Sequence, residues 1–484
     1  MVADNGYSTT DLFNRRRFLV ASLFTVFLFV IVTLMILNLI FGSSSTLLSF
    51  AKAIPLVVII VDGGDRVFRF FIDMRRQARL QKIEKREGEI PRGLKPYMKL
   101  SYRTRPSDTI KEFDLKPYRV VAAIYRIEDE WDEILENLAP FKDKLFLVDD
   151  HSPDNTFEVV KESGVEIIRN PVNTNKPGAV YYGIQNLPED IETVLVIDPD
   201  VVLSDRESVE RAVYDLQLSG AGACAVNILP IRPKLGKGRG IAMCQAIEYE
   251  FSMYCGREVP HNYVIISGAC GIFNRGALQK ALSESSRSVY AEDLETTLMI
   301  ISDGWRTYYD TRVLVRTEVP YTLKRYTLQR IGWSFGLARA TFVSMWKVRK
   351  CKDSFFRYQF YVYNLGITLL FHPFRVAAVF ILALSIFAFI FGPLSPAIAR
   401  YQWLSMYEML FIVGFYMFFA VEGYFGSLTL KRSDWPTIFL YPFYTFYQML
   451  LPITLGYLNY ITWTVAGRKI IKDPFGPKVR ERSD

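Results

Sequence analysis

Two aspartates separated by a proline, Asp198-Pro-Asp200, stand directly after the apolar run Thr193-Val-Leu-Val-Ile197. The run predicts a buried β-strand, and open α/β sheets bind ligands at the carboxyl ends of their strands. Carboxylate oxygens suit a hard cation such as Mg²⁺, which commonly shares carboxylates with the phosphates of a substrate. The pattern therefore indicates a divalent-cation site that serves a nucleotide-activated donor.

Other carboxylates occur before and after this motif in the chain. Asp149 and Asp150 follow a second apolar run, and Glu292-Asp293 lie downstream. Taken alone, the two aspartates are also explained as caps of a helix start, because Asp is favoured there. Glu292 and Asp293 are also explained as a first helical turn that interacts with the helix dipole. The order of the acidic pairs along the chain favours the chemical interpretation.

The elements that must position these residues alternate between strands and helices from about residue 116 to residue 320. Four short apolar or β-branched runs predict strands: Arg119–Tyr125, Leu145–Val148, Val165–Ile168 and Val194–Ile197. Helical patterns lie between several of them. The alternation predicts an α/β domain with a mostly parallel sheet that is covered on both faces.

Apolar segments precede this domain. Phe18–Phe41 is uncharged and long enough to cross a hydrocarbon core of ~30 Å. Arg15, Arg16 and Arg17 before it predict a cytoplasmic N-terminus. A second segment, Leu47–Val61, predicts a return to the cytoplasm, with a membrane-surface helix as the alternative.

Further apolar stretches follow the domain, at Val376–Phe391, Leu404–Phe419 and Ile438–Val465. The basic pair Lys431-Arg432 and the basic tail both read as cytoplasmic under the positive-inside rule. Both assignments hold only if the last stretch is more than a single crossing or if Tyr358–Phe371 also crosses. The sequence thus leaves five or six spans open.

Five regions are predicted from these features. They are an N-terminal membrane region with two spans at 1–75, a catalytic domain at 100–320, amphipathic interface helices at 321–372, a C-terminal transmembrane region at 373–466 and a cytoplasmic basic tail at 467–484. The interface helices are predicted because aromatic and basic residues alternate there, which suits a helix on a membrane surface.

Composition excludes several classes of protein. The chain has 484 residues, is 50% hydrophobic and carries a net charge of +8. Its basic residues cluster beside the apolar segments, which favours contact with anionic lipid and no nucleic-acid partner. Five cysteines without Cys-x-x-Cys spacing and three scattered histidines favour neither a disulfide framework nor a zinc site.

Several motifs in a fixed order carry a family resemblance, from about Tyr118 to Trp333. They are Tyr125-Arg-Ile-Glu128-Asp129, Val148-Asp149-Asp150, Asn175-Lys176-Pro-Gly178, Asp198-Pro-Asp200, Ser267-Gly268-Ala-Cys-Gly271, Glu292-Asp293 and Gln329-Arg330-Ile331-Gly332-Trp333. In this order they resemble a membrane-embedded family 2 glycosyltransferase of the processive type, the group that contains cellulose, chitin and hyaluronan synthases. Alone, Lys176 is also explained as a solvated lysine, and Trp333 as aromatic packing at a membrane interface.

The resemblance implies a GT-A-type catalytic domain in the cytoplasm, inserted between N- and C-terminal transmembrane helices of a plasma or inner membrane. It implies catalytic roles for Asp293, as general base, and Glu292. Donor contacts are implied for Tyr125, Glu128, Asp149, Asp150, Lys176, Asp198 and Arg330, acceptor contacts for Gly268, Gln329 and Trp333, and ligation of Mg²⁺ or Mn²⁺ for Asp198 and Asp200.

One position departs from the family pattern. Gly332 stands where the family has an arginine that is expected to hold the donor diphosphate. Arg330 is the substitute that we consider, although on a helix it points about 200° away from position 332 at ~100° per residue. On a loop the substitution is easier.

The function predicted from the resemblance is a processive, inverting transfer from a UDP-sugar that builds a β-linked polysaccharide and moves it across the membrane. The partners would be the donor, the growing polymer and membrane lipids, with oligomeric state and accessory export proteins left open. One alternative is a non-processive enzyme that glycosylates a lipid. Another is a transporter or receptor with a degenerate nucleotide-sugar domain.

Overall fold

The computed structural model describes residues 115–203, 205–231, 239–251, 265–287, 290–391 and 429–471, with isolated positions between 54 and 61 and between 413 and 424. The predicted span Phe18–Phe41, nearly all of Leu47–Val61, most of Leu404–Phe419 and the tail from 472 onward lie outside the described residues.

One sheet organises the described part of the chain. Its eight strands are β1 (Tyr118–Ile124), β2 (Leu145–Asp149), β3 (Glu166–Arg169), β4 (Thr193–Ile197), β5 (Val202–Leu203), β6 (Ala223–Pro230), β7 (Cys270–Asn274) and β8 (Thr307–Thr317). Their spatial order is β3-β2-β1-β4-β7-β6-β8-β5. The four strands predicted from sequence are confirmed within a residue or two at each end.

The sheet is mixed, which corrects the prediction of a mostly parallel sheet. Strands β1 to β4 pair in parallel, as do β6 and β8. Strand β7 runs antiparallel to both β4 and β6, and β5 runs antiparallel to β8. The prediction rested on the first four runs alone, and those form the parallel half.

The central strands are buried on both faces, as their continuous apolar runs predict. All five residues of β2 and all five of β4 are buried. Helices cover the two faces, so the side chains that alternate along each strand all meet protein. The core therefore lies directly under the sheet edge where the acidic turns begin.

Strand order reverses between β1 and β4. From β1 the chain adds β2 and β3 on one side, and then returns to place β4 on the other side. The connections that follow β1 and β4 therefore leave the sheet toward opposite sides. A crevice opens between them at the carboxyl ends of these strands. The turns after β1, β2 and β4 all meet at this crevice.

The helices of the sheet domain are α1 (Trp131–Leu138), α2 (Thr156–Glu162), α3 (Asn175–Gln185), α4 (Arg206–Ser219), α5 (Arg239–Phe251), α6 (Arg275–Glu284) and α7 (Glu292–Ser302). The C-terminal part consists of α8 (Leu323–Lys350), α9 (Ser354–Gln359), a π-helical stretch at Phe360–Leu370, α10 (His372–Phe391), α11 (Thr437–Gln448), a π-helical stretch at Met449–Ile453 and α12 (Thr454–Ala466).

Helix α8 lies between α7 and α12 and approaches both closely. A Cβ on Gly336 would lie 2.7 Å from the carbonyl carbon of Tyr290, which immediately precedes Ala291 at the start of α7. A Cβ on Gly456 of α12 would lie 2.5 Å from Cβ of Ser334 on α8. Both contacts need glycine, because real Cβ atoms do not approach so closely.

Two helices in the described residues qualify as membrane spans by length and composition alone. They are the continuous helices Phe356–Phe380 and Thr437–Ala466, each with a best-window mean hydropathy of 1.2. The first contains Tyr358–Phe371, the segment that decided between five and six predicted spans. The second contains α11 and α12.

Candidate active site

Lys176 connects three of the predicted motifs. It lies in the first turn of α3, and its Nζ donates to Oδ1 of Asp198 at 2.5 Å and to the carbonyl of Gly268 at 2.6 Å. The same Nζ is 3.9 Å from Oε1 of Glu292. Only 20% of its side chain is exposed. The alternative of a solvated surface lysine is therefore wrong.

Gly268 lies at the centre of these contacts. A Cβ added there would meet Oε1 of Glu292 at 3.2 Å, Nζ of Lys176 at 3.6 Å and Cβ of Asp293 at 3.7 Å. Its backbone N–H donates to Oδ2 of Asp293 at 3.1 Å. A glycine at this position lets the turn before β7 approach the acidic pair closely enough for its main-chain N–H to bond Asp293.

Glu292 and Asp293 lie in the first turn of α7, which is the alternative that the sequence analysis left open for this pair. Oδ1 of Asp293 accepts from the backbone of Leu294 at 2.8 Å, so both of its carboxylate oxygens are oriented by main-chain donors. Burial raises the pKa of Glu292 to about 8, with a further upward contribution from Asp293 that the ammonium of Lys176 opposes. The fold therefore favours the neutral form of Glu292.

We define the acidic cluster as Asp198, Asp200, Glu292 and Asp293, which share the single cation Lys176 among the described contacts. Asp198 is anchored through its own N–H, which donates to the carbonyl of Ala269 at 2.9 Å. Asp200 is exposed, yet the surrounding protein and the charge of Asp198 raise its pKa to about 6. Negative charge accumulates at this edge of the sheet.

The donor set of this cluster fits a divalent cation. In the described residues no group of three or more His, Cys, Asp or Glu side chains is arranged to hold a metal. Asp198 and Asp200 would supply two oxygen ligands, and Mg²⁺ in nucleotide enzymes usually takes its remaining ligands from phosphates and water. Burial is the first cause of the raised pKa of Asp200 and the charge of Asp198 the second, and a bound cation would offset the repulsion between the two carboxylates.

Asp150 shapes the loop that presents Lys176. It is buried, and its Oδ1 accepts from Nδ2 of Asn170 and from the backbone of Thr174, both at 2.9 Å. Its own carbonyl accepts from Nδ2 of Asn173 at 2.9 Å. The carboxylate therefore fixes residues 170–174, immediately before α3.

Asp149 is fully buried at the end of β2. Its Oδ1 accepts from the backbone of Ser152 at 3.1 Å, and its Oδ2 lies 3.2 Å from Nε of Arg169 without hydrogen-bond alignment. Neither aspartate caps the next helix, because the N-cap of α2 is Asn155. The alternative of simple helix capping is wrong, and the predicted contact of this pair with a donor stays a prediction.

The turn after β1 is joined to the turn after β2. The backbone of Arg126 donates to Oγ of Ser152 at 3.0 Å, and the guanidinium of Arg126 lies 5.7 Å from the ring of Tyr125. Glu128 accepts from the backbone and the side-chain amide of Asn155, both at 3.1 Å. These contacts place Tyr125 and Glu128 at the crevice next to the Asp149 turn.

Strained backbone marks the same turns. Among the described residues five non-glycine positions have positive φ, and four of them adjoin these motifs: Arg126, His151, Asn175 and Ala291. A side chain in the left-handed region costs energy and persists only where surrounding structure imposes it, most often at functional sites. Ala291 in particular begins the turn that carries Glu292 and Asp293.

The motif from Gln329 to Trp333 lies inside α8, so the loop alternative is wrong. Arg330 is 5% exposed, and its Nη2 donates to Oε2 of Glu248 on α5 at 2.7 Å. Oε1 of Gln329 is buried without a hydrogen-bond partner in the described part of the chain. Trp333 is 42% exposed. The predicted contact of Arg330 with a diphosphate stays a prediction.

Two functional contacts were not anticipated from sequence. One is the Asn170–Thr174 loop held by Asp150, and the other is the pairing of Glu248 with Arg330. An acidic residue directly after the mostly apolar helical run Ile241–Ile247 was a usable signal for Glu248, because a charge on a packed helix needs a partner. The loop gave no comparable signal, since Asn and Thr are ordinary loop residues.

Comparison with known proteins assigns this region to a family. Residues 120–282 match the model of glycosyl transferase family 2. This segment, about a third of the chain, is therefore similar to a family 2 glycosyltransferase domain. The matched segment begins in β1 and ends in α6, so it holds the Asp149, Lys176, Asp198 and Gly268 turns.

Two curated relatives are named N-acetylglucosaminyltransferase. The one from Bradyrhizobium diazoefficiens is 24% identical over 210 residues, which is 41% of either chain. The one from Azorhizobium caulinodans is 23% identical over 211 residues, 41% of this chain and 51% of the relative. The chain thus matches about half or less of the length of these relatives. The domain and the relatives' names support a glycosyltransferase.

Among solved structures, the chain is similar to a mannosyltransferase from Pyrobaculum calidifontis in complex with GDP-Man and Mn²⁺. The sequence identity is 17% and the TM-score 0.45, with 77% of this chain and 98% of that chain covered.

Proposed function

We propose that this protein is a processive, inverting glycosyltransferase that polymerises a β-linked polysaccharide from a UDP-sugar at a membrane. The observation that carries the proposal is the acidic cluster around Lys176, which brings four predicted motifs together at the crevice between β1 and β4. That crevice is where an open α/β sheet binds a nucleotide.

The donor would lie across the turns after β1, β2 and β4. Tyr125 and Glu128 would border the nucleoside, beside the turn that Asp149 and Asp150 hold rigid. Asp198 and Asp200 would hold Mg²⁺ or Mn²⁺, which when bound neutralises charge on the departing diphosphate. Lys176, already bonded to Asp198, would bring a further positive charge to the phosphates.

Asp293 would act as the general base. Its carboxylate would take the proton of the acceptor hydroxyl as that oxygen attacks the anomeric carbon, and the bond from that carbon to the UDP oxygen breaks on the opposite side. Such a displacement converts an α-linked donor to a β-linked product. The backbone donors from Gly268 and Leu294 fix the direction of the base. A positioned base typically contributes ~10² to 10⁴ in rate.

The acceptor would approach from α8. The exposed ring of Trp333 offers an apolar face for a sugar. A contact of the sugar with Gln329 would require its buried Oε1 to become accessible. The helix that follows the catalytic domain is packed against α12 in the candidate span Thr437–Ala466. This adjacency supports a product that leaves toward the membrane.

A second candidate, transfer of a single sugar to a lipid, is favoured by one observation. The far end of α8 exposes Trp346 (64%), and the cations of Arg349 and Lys350 lie 5.7 and 5.2 Å from its ring, which suits a membrane surface where a lipid acceptor would lie. The product separates the two candidates, because polymer and glycolipid differ in size and in extraction behaviour.

The test is incubation of the purified full chain with each common radiolabelled UDP-sugar and Mn²⁺, followed by sizing and organic extraction of the product. UDP-N-acetylglucosamine is the first donor to try, given the names of the relatives. A water-soluble polymer supports the proposal. A single labelled sugar in the lipid fraction supports the second candidate, and no transfer from any UDP-sugar refutes both.

A further inference from the structure

Arg330 and Glu248 form an ion pair outside the acidic cluster. Nη2 of Arg330 on α8 donates to Oε2 of Glu248 on α5 at 2.7 Å. The arginine side chain is 5% exposed and the glutamate side chain 19%. Charges this deep are tolerated only when they are paired and hydrogen-bonded, so neither partner is a casual surface residue.

Glu248 is also bonded to the C-terminal helical region. Its Oε1 accepts from Nε2 of Gln448 at 3.1 Å, and the hydroxyl of Tyr444 donates to its Oε2. Both donors lie on α11. One carboxylate thus joins α5 of the catalytic domain, α8 and α11, and it holds the guanidinium of Arg330 from a fixed direction.

The same guanidinium lies over two aromatic rings of its own helix. Its carbon Cζ is 4.2 Å from the ring centroid of Trp333 and 5.1 Å from that of Tyr326. Tyr326 is fully buried, whereas Trp333 is 42% exposed. The planar cation therefore covers part of an indole whose remaining surface faces outward.

We infer that Arg330 is a positioning residue for the acceptor: anchored by Glu248, it fixes the indole of Trp333 in place. The inference rests on the proposed function, in which Trp333 contacts the acceptor sugar. An exposed indole without this support samples several rotamers and loses that freedom when a sugar binds. The ion pair removes this cost before the acceptor arrives.

The same geometry favours this role of Arg330 over the predicted contact of Arg330 with the donor diphosphate. To bind a phosphate, Arg330 would have to leave Glu248 buried beside Tyr444 and Gln448, or bring a second anion next to that carboxylate. Either arrangement is costly at a buried site. A guanidinium already paired and stacked is suited to hold a neighbour.

Two variants and a matched control test the inference. Arg330→Lys keeps the charge for Glu248 but lacks the flat surface that covers the indole. Glu248→Gln keeps the shape of the anchor and removes its charge. The control is Arg349→Lys, because the guanidinium of Arg349 lies 5.7 Å from the ring of Trp346 on the same helix. Circular dichroism of the full chain in detergent shows that each variant is folded.

The first readout is the emission of Trp333 without any substrate, taken as the difference between each variant and the same variant that also carries Trp333→Phe. We expect this difference spectrum to shift to the red in Arg330→Lys and in Glu248→Gln, and to stay unchanged in Arg349→Lys. Unchanged Trp333 emission in both of the first two variants overturns the inference.

The second readout divides the effect between acceptor and donor. The KM for an added oligosaccharide primer should rise by about three- to tenfold, the cost of ordering one side chain, while kcat stays within about twofold. Calorimetric affinity for UDP should also stay within about twofold. Loss of UDP affinity in Arg330→Lys, with retention in Glu248→Gln, would make Arg330 a donor ligand and overturn the inference.

The two readouts distinguish failure of the inference from failure of the proposed function. The emission spectrum needs no activity, so it reports on the indole whichever sugar is used. Absence of transfer from every UDP-sugar refutes the proposed function and, with it, the acceptor role. A primer KM that stays constant while Trp333 emission shifts overturns the acceptor role alone.

Discussion

Two ion pairs, Lys176 with Asp198 and Arg330 with Glu248, join different elements by a short contact between a cation and a carboxylate. Around the first pair lie three more carboxylates, at Asp200, Glu292 and Asp293, and a third of the Asp198 side chain is exposed. Around the second pair lie hydrogen-bond donors and aromatic rings. The first pair has excess negative charge and access to solvent, while the second is surrounded by partners.

The different surroundings of the two ion pairs indicate different roles. Several carboxylates beside a single ammonium leave a net negative charge. That charge favours binding of a cation, either alone or together with the donor diphosphate. A carboxylate that already has an arginine, a phenol and an amide has little capacity left, so it holds helices together. The predictions below test this contrast.

The largest effect is expected at the metal. Because Asp198 and Asp200 are the proposed ligands of the metal, excess chelator should abolish transfer, and Asp198→Asn should lower it sharply. Initial rates with the active UDP-sugar, with and without added Mn²⁺, provide the measurement. Full turnover in excess chelator would remove the metal from the proposal.

Asp293→Asn should lower kcat by ~10² to 10⁴ and leave UDP affinity intact, because the amide keeps the shape of the side chain and loses its basicity. Single-turnover rates and UDP calorimetry measure the two quantities. A large fall in UDP affinity would instead make Asp293 a donor ligand, and the distinction between base and binding residues would fail.

The two ion pairs should differ in their effect on stability, with the larger loss of unfolding free energy at the pair that matters less for catalysis. Glu248→Gln leaves Arg330 buried without a full countercharge, and such a loss typically costs ~3–5 kcal/mol in unfolding free energy. Asp198→Asn removes one of several crowded carboxylates and should change the unfolding free energy far less. Thermal melting of both variants in the same detergent tests this. Equal losses would show that the two pairs are alike.

A smaller effect concerns pH. The pKa of Glu292 is raised to about 8 in the fold, so its protonated form contributes stability that is complete below its unfolded pKa near 4.5 and is lost as pH rises through 8. In chelator, the melting temperature should therefore fall more steeply from pH 5 to pH 8.5 in the parent than in Glu292→Gln. Parallel curves for the two proteins would contradict the raised pKa.

Much of the sheet was predictable because local patterns decided it. Leu145–Val148 and Val194–Ile197 are short runs of β-branched and apolar residues, and both became strands that are buried throughout. Asp198 was recognised because it stands at the end of such an element, whereas Glu292 and Asp293 were recognised from their place in the order of motifs that carries the family resemblance. Local periodicity and the resemblance together thus located the acidic cluster in outline.

The rest depends on contacts between distant parts of the chain. The residues around β7 do not indicate that it runs antiparallel to β4. Its direction depends on the path of some seventy residues between the two strands. Arg330 looked like a free cation because Glu248 is 82 positions away and Tyr444 more than a hundred. Contacts between distant residues decide whether a charged side chain is available to bind a ligand or is used to hold neighbouring helices together. The local sequence pattern does not contain this information.

Gly336 and Gly456 have a consequence for how the enzyme would respond to a membrane if the candidate spans cross one. With no room for even a methyl group on either side of α8, the turn at Ala291, α8 and α12 must shift as one body. Helix α12 belongs to a candidate span, and a span tilts to match the thickness of the hydrocarbon core. We therefore expect the turnover rate in reconstituted vesicles to vary with acyl-chain length, because lipid composition would then affect the alignment of the carboxylates at the start of α7.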